Sequence, residues 1–184
     1  MISPQSLRGL YRAPGAESAP QAETSPSLAI VTCMDHRLRP EDTLGVAAGS
    51  ACVIRNAGGR VTGDALRSLV VASTTLNVDE IVVMQHTECG AASITNDGVA
   101  RTIQEQLGVD VGTVDFLAID DSRSSIEADV HRVRDSPFIP GDIPVTGVLC
   151  TTTTGHAAVV DADPLSRVAP RLGTDQSAAG AGGS

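Results

Sequence analysis

The chain has 184 residues and 41% hydrophobic content, enough to bury a real core in one domain. Acidic residues outnumber basic ones 22 to 13, and the net charge of -9 argues against a nucleic-acid or anionic-membrane surface. Tyr11, Phe116 and Phe138 are the whole aromatic set, so the core rests on Val, Ile, Leu and Ala, as suits a buried parallel sheet flanked by helices.

Residues 1–26 are rich in Pro, Ala, Ser, Glu and Gln with little periodicity and read as a flexible arm. The stretch holds no apolar core of a secretory leader, and no run approaches the roughly 20 apolar residues of a membrane span. A cytoplasmic location with no membrane partner is expected. In that reducing compartment, Cys33, Cys52, Cys89 and Cys150 are more apt to bind metal or do chemistry than to cross-link.

The folded domain is expected over 27–160. Residues 27–33 form a first strand, and Arg39–Leu44 a helical turn with Pro40 near its start. Ala51–Arg55 is a second strand, broken by Asn56-Ala57-Gly58-Gly59. Thr62 caps a helix whose apolar residues recur at helical spacing through Leu76. Glu80–Gln85 is the third strand, a second helix runs from about Ala92 to Leu107, and Val114–Ile119 is predicted as a fourth strand. Ser125–Arg134 is predicted as a helix with Glu127 and Asp129 near its start and Arg132 and Arg134 near its end, matching the macrodipole. Val145–Thr152 and Ala157–Val160 form a hairpin, and 161–184 reads as a disordered low-complexity tail. Strands alternating with helices, then a hairpin, give an α/β fold with a mainly parallel sheet and an antiparallel edge strand.

Cys33 closes the first strand, and His86 and Cys89 follow the third. Ligands of open α/β sheets bind beyond the carboxyl ends of the strands. Two thiolates and an imidazole there make a Cys2His zinc set with one position left over, the mark of a catalytic zinc. Gly90 is read as the residue that lets the chain turn away without a Cβ clash. The plainer alternative makes Cys33 and Cys89 small buried hydrophobes and His86 a core histidine.

Asp35 and Arg37 lie two and four residues past Cys33 and can pair as a fork. Asp35 then has two positions open to it: the fourth zinc site, or Arg37, which leaves room for water. With two thiolates the metal site has a net charge near zero and acidifies bound water less than a three-histidine site, so an alkaline working range is expected. Cys33 to Arg39 also meets the Cys-x5-Arg spacing of cysteine phosphatases, but the loop has no Gly and Pro40 follows at once. Asn56, Gly58, Gly59 and Gly90 are expected on the wall of the cleft. Cys52 and Cys150 are read as core, and His36, His131 and His156 as surface residues.

Three segments resemble the β-class carbonic anhydrases: Cys33-Met34-Asp35-His36-Arg37-Leu38, Val53-Ile54-Arg55-Asn56-Ala57-Gly58-Gly59, and His86-Thr87-Glu88-Cys89-Gly90. Glu88 stands where that family usually has Asp. The resemblance implies a strand order 2-1-3-4 with a fifth edge strand, one Zn2+ per subunit on Cys33, His86 and Cys89, and Asp35 and Arg37 as a gating dyad. It implies reversible hydration of CO2 to bicarbonate and a proton by zinc-bound hydroxide, in a homodimer or larger even homo-oligomer. A zinc hydrolase of COS or CS2 on the same fold and a non-catalytic zinc-stabilised module are the alternatives.

Overall fold

A computed structural model of the chain describes residues 27–174. Its centre is a six-stranded sheet in the order β2-β1-β3-β4-β5-β6. The strands are β1 (Leu28–Cys33), β2 (Ala51–Asn56), β3 (Glu80–His86), β4 (Val145–Cys150), β5 (Ala157–Asp161) and the two-residue β6 (Gly173–Thr174). Pairing is parallel from β2 through β4, β5 runs antiparallel to β4, and β6 is parallel to β5. The expected order 2-1-3-4 with an antiparallel strand beyond it is the one found.

β1 and β3 are buried at every position, because both faces of the sheet are covered. Alternate residues feed two cores. Ala29, Val31, Ile81, Val83 and Val145 pack on helices α2 (Gly63–Thr75) and α4 (Ser122–Arg134) through Leu69, Ile126 and Val130. Leu28, Ile30, Val82, Met84 and Val148 face Leu38, Ile119, Val168 and the short helix α1 (Pro40–Leu44) through Leu44. Thr62 caps α2, its hydroxyl accepting from the amide of Ala65. Helix α3 (Asn96–Leu107) buries none of its residues.

Three expectations are corrected. Val114–Ile119 is not a strand: Asp115 Oδ1 accepts from the amide of Leu117 at 2.8 Å, and Asn96 Oδ1 from that of Phe116 at 2.9 Å. Side-chain acceptors draw these amides away from a ladder, Leu117 adopts φ +56°, and the place beside β3 belongs to β4. Helix α4 starts at Ser122, so Glu127 and Asp129 lie beyond its first turn, and the acid at the positive end of the dipole is the capping Asp121. The segment after Asp161, expected within a disordered tail, packs on the sheet as far as Thr174: Ser166 and Arg167 bind the buried Glu80, and Val168 is 3% exposed. Residues 1–26 and 175–184, expected as flexible arm and end of the tail, lie outside the described residues.

Candidate metal centre

The parallel register brings the carboxyl ends of β1 and β3 side by side, Thr32 opposite Met84, so Cys33 and His86 emerge next to one another. The chain then turns sharply. Thr87 N donates to Cys150 O at 2.9 Å, Glu88 takes φ +53°, and Cys89 opens a 3-10 turn over Gly90–Ala92. Cys89 is thereby brought back beneath the strand ends at 2% exposure. Gly59 permits the closeness: a Cβ there would lie 2.8 Å from Cys33 N and 3.0 Å from Met84 O, at φ +66°.

One ligand atom each from Cys33, His86 and Cys89 lies within 4.8 Å of the others, and all three residues are buried. The two Sγ atoms stand 3.8 Å apart. Zn–S bonds of about 2.3 Å in a tetrahedron would set two sulfurs about 3.8 Å apart, so the pair fits a zinc ion without movement. The histidine fits too. Its Nδ1 is 2.8 Å from Thr87 O, which can only accept, so Nδ1 carries the proton. Nε2 is left with a free lone pair, and it is buried with no hydrogen-bond partner. Burial pushes the Cys89 thiol up, and the adjacent Cys33 adds to this. A coordinated cation reverses that preference and deprotonates a thiol outright.

Asp35 and Arg37 meet as a fork at the rim. Arg37 Nε donates to Asp35 Oδ1 at 3.0 Å, and Nη2 to Oδ2 at 2.7 Å. These side-chain bonds, with that from the Arg37 amide, hold the Asp35 carboxyl well below the usual carboxylate range. Arg37 also reaches the neighbouring turn, donating to Glu88 O at 3.3 Å and lying 3.6 Å from Glu88 Oε2. Beside the thiols opens an apolar cleft of ≈ 270 Å³, lined among others by Ala57, Gly58, Ala91 and Ile94.

Of the four residues expected on its wall, Gly58 and Gly90 line the cleft. Asn56 instead exchanges two hydrogen bonds with the backbone of Arg60, at 2.7 and 2.8 Å, and Gly59 is buried behind. The steric reason expected for Gly90 is also corrected, since a Cβ there would meet nothing within 4 Å. Cys150 is core at 1% exposure, Cys52 is half-buried, and His36, His131 and His156 are exposed.

Several supporting residues escaped the sequence reading. Arg55 donates to the carbonyls of Cys33, Asp35 and Leu38 and so shapes the loop after β1. Arg60 pairs with the buried Asp129 at 2.7 Å. Thr152 lies 3.2 Å from His86 Nδ1. The adjacency of Arg55 and Asn56 to a predicted strand end was the one local signal; Asp129 lies 69 residues from Arg60 and His86 lies 66 from Thr152 in sequence.

A sequence profile described as "Carbonic anhydrase" matches residues 28–155. The chain belongs to the carbonic anhydrases, in their β class. Among relatives of this carbonic anhydrase family member, "Beta-carbonic anhydrase 1" of Mycobacterium tuberculosis is 35% identical over 131 residues, covering 71% of this chain and 80% of its own. A protein of Acidithiobacillus thiooxidans named "Carbon disulfide hydrolase" is 29% identical over 170 residues, with 80% and 81% covered. The crystal structure of carbonic anhydrase from Streptococcus mutans superposes with a TM-score of 0.73 at 39% identity, covering 85% of this chain and 92% of that one.

Proposed function

We propose that the protein catalyses the reversible hydration of CO2 to bicarbonate and a proton, at a zinc ion held by Cys33, His86 and Cys89. The observation that carries this reading is the buried, unpartnered Nε2 of His86 beside two sulfurs at tetrahedral spacing, opening on an apolar cleft. Zinc bound there would supply Lewis-acid activation of water. The rest falls to the chain. Ala57, Gly58, Ala91 and Ile94 offer a small linear molecule an apolar surface with no competing hydrogen bond. Asp35, kept ionised by Arg37, can only accept a hydrogen bond, so it orients a proton-bearing group at the fourth ligand position and does not donate to it. Arg37 holds both carboxylate oxygens in the state observed; on this reading Asp35, released from the guanidinium, would take the fourth position itself.

Hydrolysis of CS2 or COS is the second reading, favoured by the relatives named carbon disulfide hydrolase. Both reactions add water to a linear triatomic carbon, and the ligand set serves either. Zinc content measured beside initial rates with CO2, COS and CS2 from pH 6.5 to 9 separates them. One zinc per chain and a CO2 rate that rises toward alkaline pH are expected, with turnover lost and zinc retained in Asp35→Ala. Full zinc with no CO2 rate at pH 9 overturns the first reading. Full zinc with no rate on any of the three substrates leaves a zinc-stabilised module.

We also infer a homodimer or larger even assembly in the cytoplasm. Four free cysteines suit a reducing compartment, and the edge strand β2 and the exposed Val71 and Phe138 suit a second copy. No helix among the described residues is long and apolar enough to cross a membrane. Light scattering on the full chain measures the assembly.

A further inference from the structure

We propose that the Thr87–Thr152 pair is a positioning device that fixes the tautomer and aim of His86 for the metal, with the β4–β5 hairpin as its anchor. The inference rests on the reading of Cys33, His86 and Cys89 as ligands. Thr87 follows His86, and Thr152 lies in the turn between β4 and β5, 65 residues away in sequence.

The pair is joined reciprocally. Thr152 Oγ1 donates to Thr87 O at 2.5 Å, and the amide of Thr152 donates to Thr87 Oγ1 at 3.1 Å. The amide of Thr87 donates to Cys150 O at 2.9 Å, so residue 87 is held at its N, O and Oγ1 atoms by the end of β4 and the turn after it. The turn is itself tied: Thr151 N donates to His156 O at 2.7 Å, and Gly155 N to Thr151 O at 2.8 Å.

The consequence for His86 follows from proton counting. The Thr152 hydroxyl has one proton, and it points at Thr87 O. Its lone pairs therefore face Nδ1, 3.2 Å away, while Thr87 O faces the same nitrogen at 2.8 Å. Nδ1 meets two acceptors and must carry the proton. The other tautomer would set a lone pair against two oxygen lone pairs and put N–H where the ligand atom is needed. Partners of this kind fix ring orientation and ligand basicity in metal sites, and their loss costs about 10–100-fold in affinity. A tie that only fastened the hairpin to the sheet would not need the hydroxyl to touch both the carbonyl and the ring nitrogen.

The test compares the full chain with Thr152→Val, which keeps the shape and removes the hydroxyl, and Thr152→Ser, which keeps the hydroxyl. Zinc affinity is read by chelator competition. The His86 tautomer is read in the zinc-free, reduced protein by long-range 15N–1H correlation. Thr152→Val is expected to weaken zinc about tenfold and, because the Thr87 carbonyl is no longer held on Nδ1 by the hydroxyl, to let the second tautomer appear beside the dominant Nδ1–H form. Thr152→Ser is expected to restore affinity to within about twofold and keep the Nδ1–H form. Thr87→Val, which frees the Thr152 amide and removes the 3.4 Å contact between the two hydroxyls, serves as the second variant should Thr152→Val not fold, with a several-fold weakening expected. Unchanged affinity and tautomer in the valine variants, or a serine variant as weak as the valine one, would overturn the proposal. Absence of zinc binding in the wild-type chain would overturn the metal reading alone, since the tautomer is measured without metal and still decides the role of the pair.

Discussion

β3 carries a buried polar side chain at each end, and the two are treated in opposite ways. At its amino end Glu80, 1% exposed, has both oxygens engaged. Oε1 accepts from Ser166 Oγ at 2.7 Å and from the amides of Arg167 and Val168 at 2.9 and 3.1 Å, and Oε2 from Arg167 Nε at 3.1 Å. At its carboxyl end His86, equally buried, has one nitrogen satisfied and the other facing two thiols with no partner. A buried polar atom without a partner costs about 1–3 kcal/mol. Glu80 shows that this fold can saturate a buried side chain on β3. Nε2 of His86, grouped with two thiols, is a donor atom suited to a metal, whereas Glu80 serves the fold, and stability and function are separated between the two ends of the strand.

The sharpest way to break that contrast is to remove each group in turn. His86→Ala is expected to weaken zinc by more than about 1,000-fold, or about 4 kcal/mol, because a ligand counts for more than the groups that orient it. Its zinc-free fold should survive at a cost of about 1–3 kcal/mol, for the Nδ1 hydrogen bond to Thr87 O and the buried ring that are lost. Chelator competition and urea denaturation of the zinc-free protein measure the two quantities. Loss of the fold with zinc affinity intact would reverse the assignment.

Glu80→Ala should do the opposite. It leaves the amides of Arg167 and Val168 without an acceptor and removes one of the two carboxylates of Arg167, whose pairing with Asp79 remains. A cost of about 3 kcal/mol in urea unfolding is expected, with zinc affinity and turnover per folded molecule unchanged. A fall in zinc affinity larger than about threefold would mean that the two ends of β3 are coupled.

How far these roles could be read from sequence follows the same division. Cys33, His86 and Cys89 were legible because each follows an apolar run that can only be a buried strand, and strand ends in such sheets converge. Thr62 as a cap and Asp35 with Arg37 as a fork were legible because their partners lie within three residues. Glu80 was not, since its partners are 86 to 88 residues distant and lie in a segment that reads as low-complexity. Nor was the correct fourth parallel strand. Val114–Ile119 has the composition of a strand, and only the claims of Asn96 and Asp115 on its amides, together with the positive φ of Leu117, reveal why it is not one. Asp129 reads locally as a dipole partner of its helix, whereas in three dimensions it holds Arg60, which fastens the turn at Asn56–Gly59.

The smallest effect sharpens the comparison, because it concerns a satisfied acid on the helix that packs behind β3. Asp121 caps α4, its Oδ1 accepting from the amide of Ser124 at 2.8 Å, and this backbone bond, followed by the Ser124 side chain, lowers its pKa from the ordinary value. A lowered native pKa means that the folded state holds fewer protons than the unfolded one across the interval between the two values, so stability rises with pH there. The contribution is full above the unfolded carboxylate value of about 4 and fades as pH falls through the native one. Asp121→Ala should therefore cost about 1 kcal/mol at pH 7 and less at pH 3, while Asp121→Asn, which caps without a charge, should cost less than alanine at both and gain on wild type between pH 7 and pH 3 by the same amount as alanine. Urea denaturation of the zinc-free proteins at the two pH values measures this. An alanine penalty as large at pH 3 as at pH 7 would show that the carboxylate charge contributes nothing to the cap. Unchanged zinc affinity in both variants is also expected: if Asp121, like Glu80, is a saturated group, its loss should appear in stability alone.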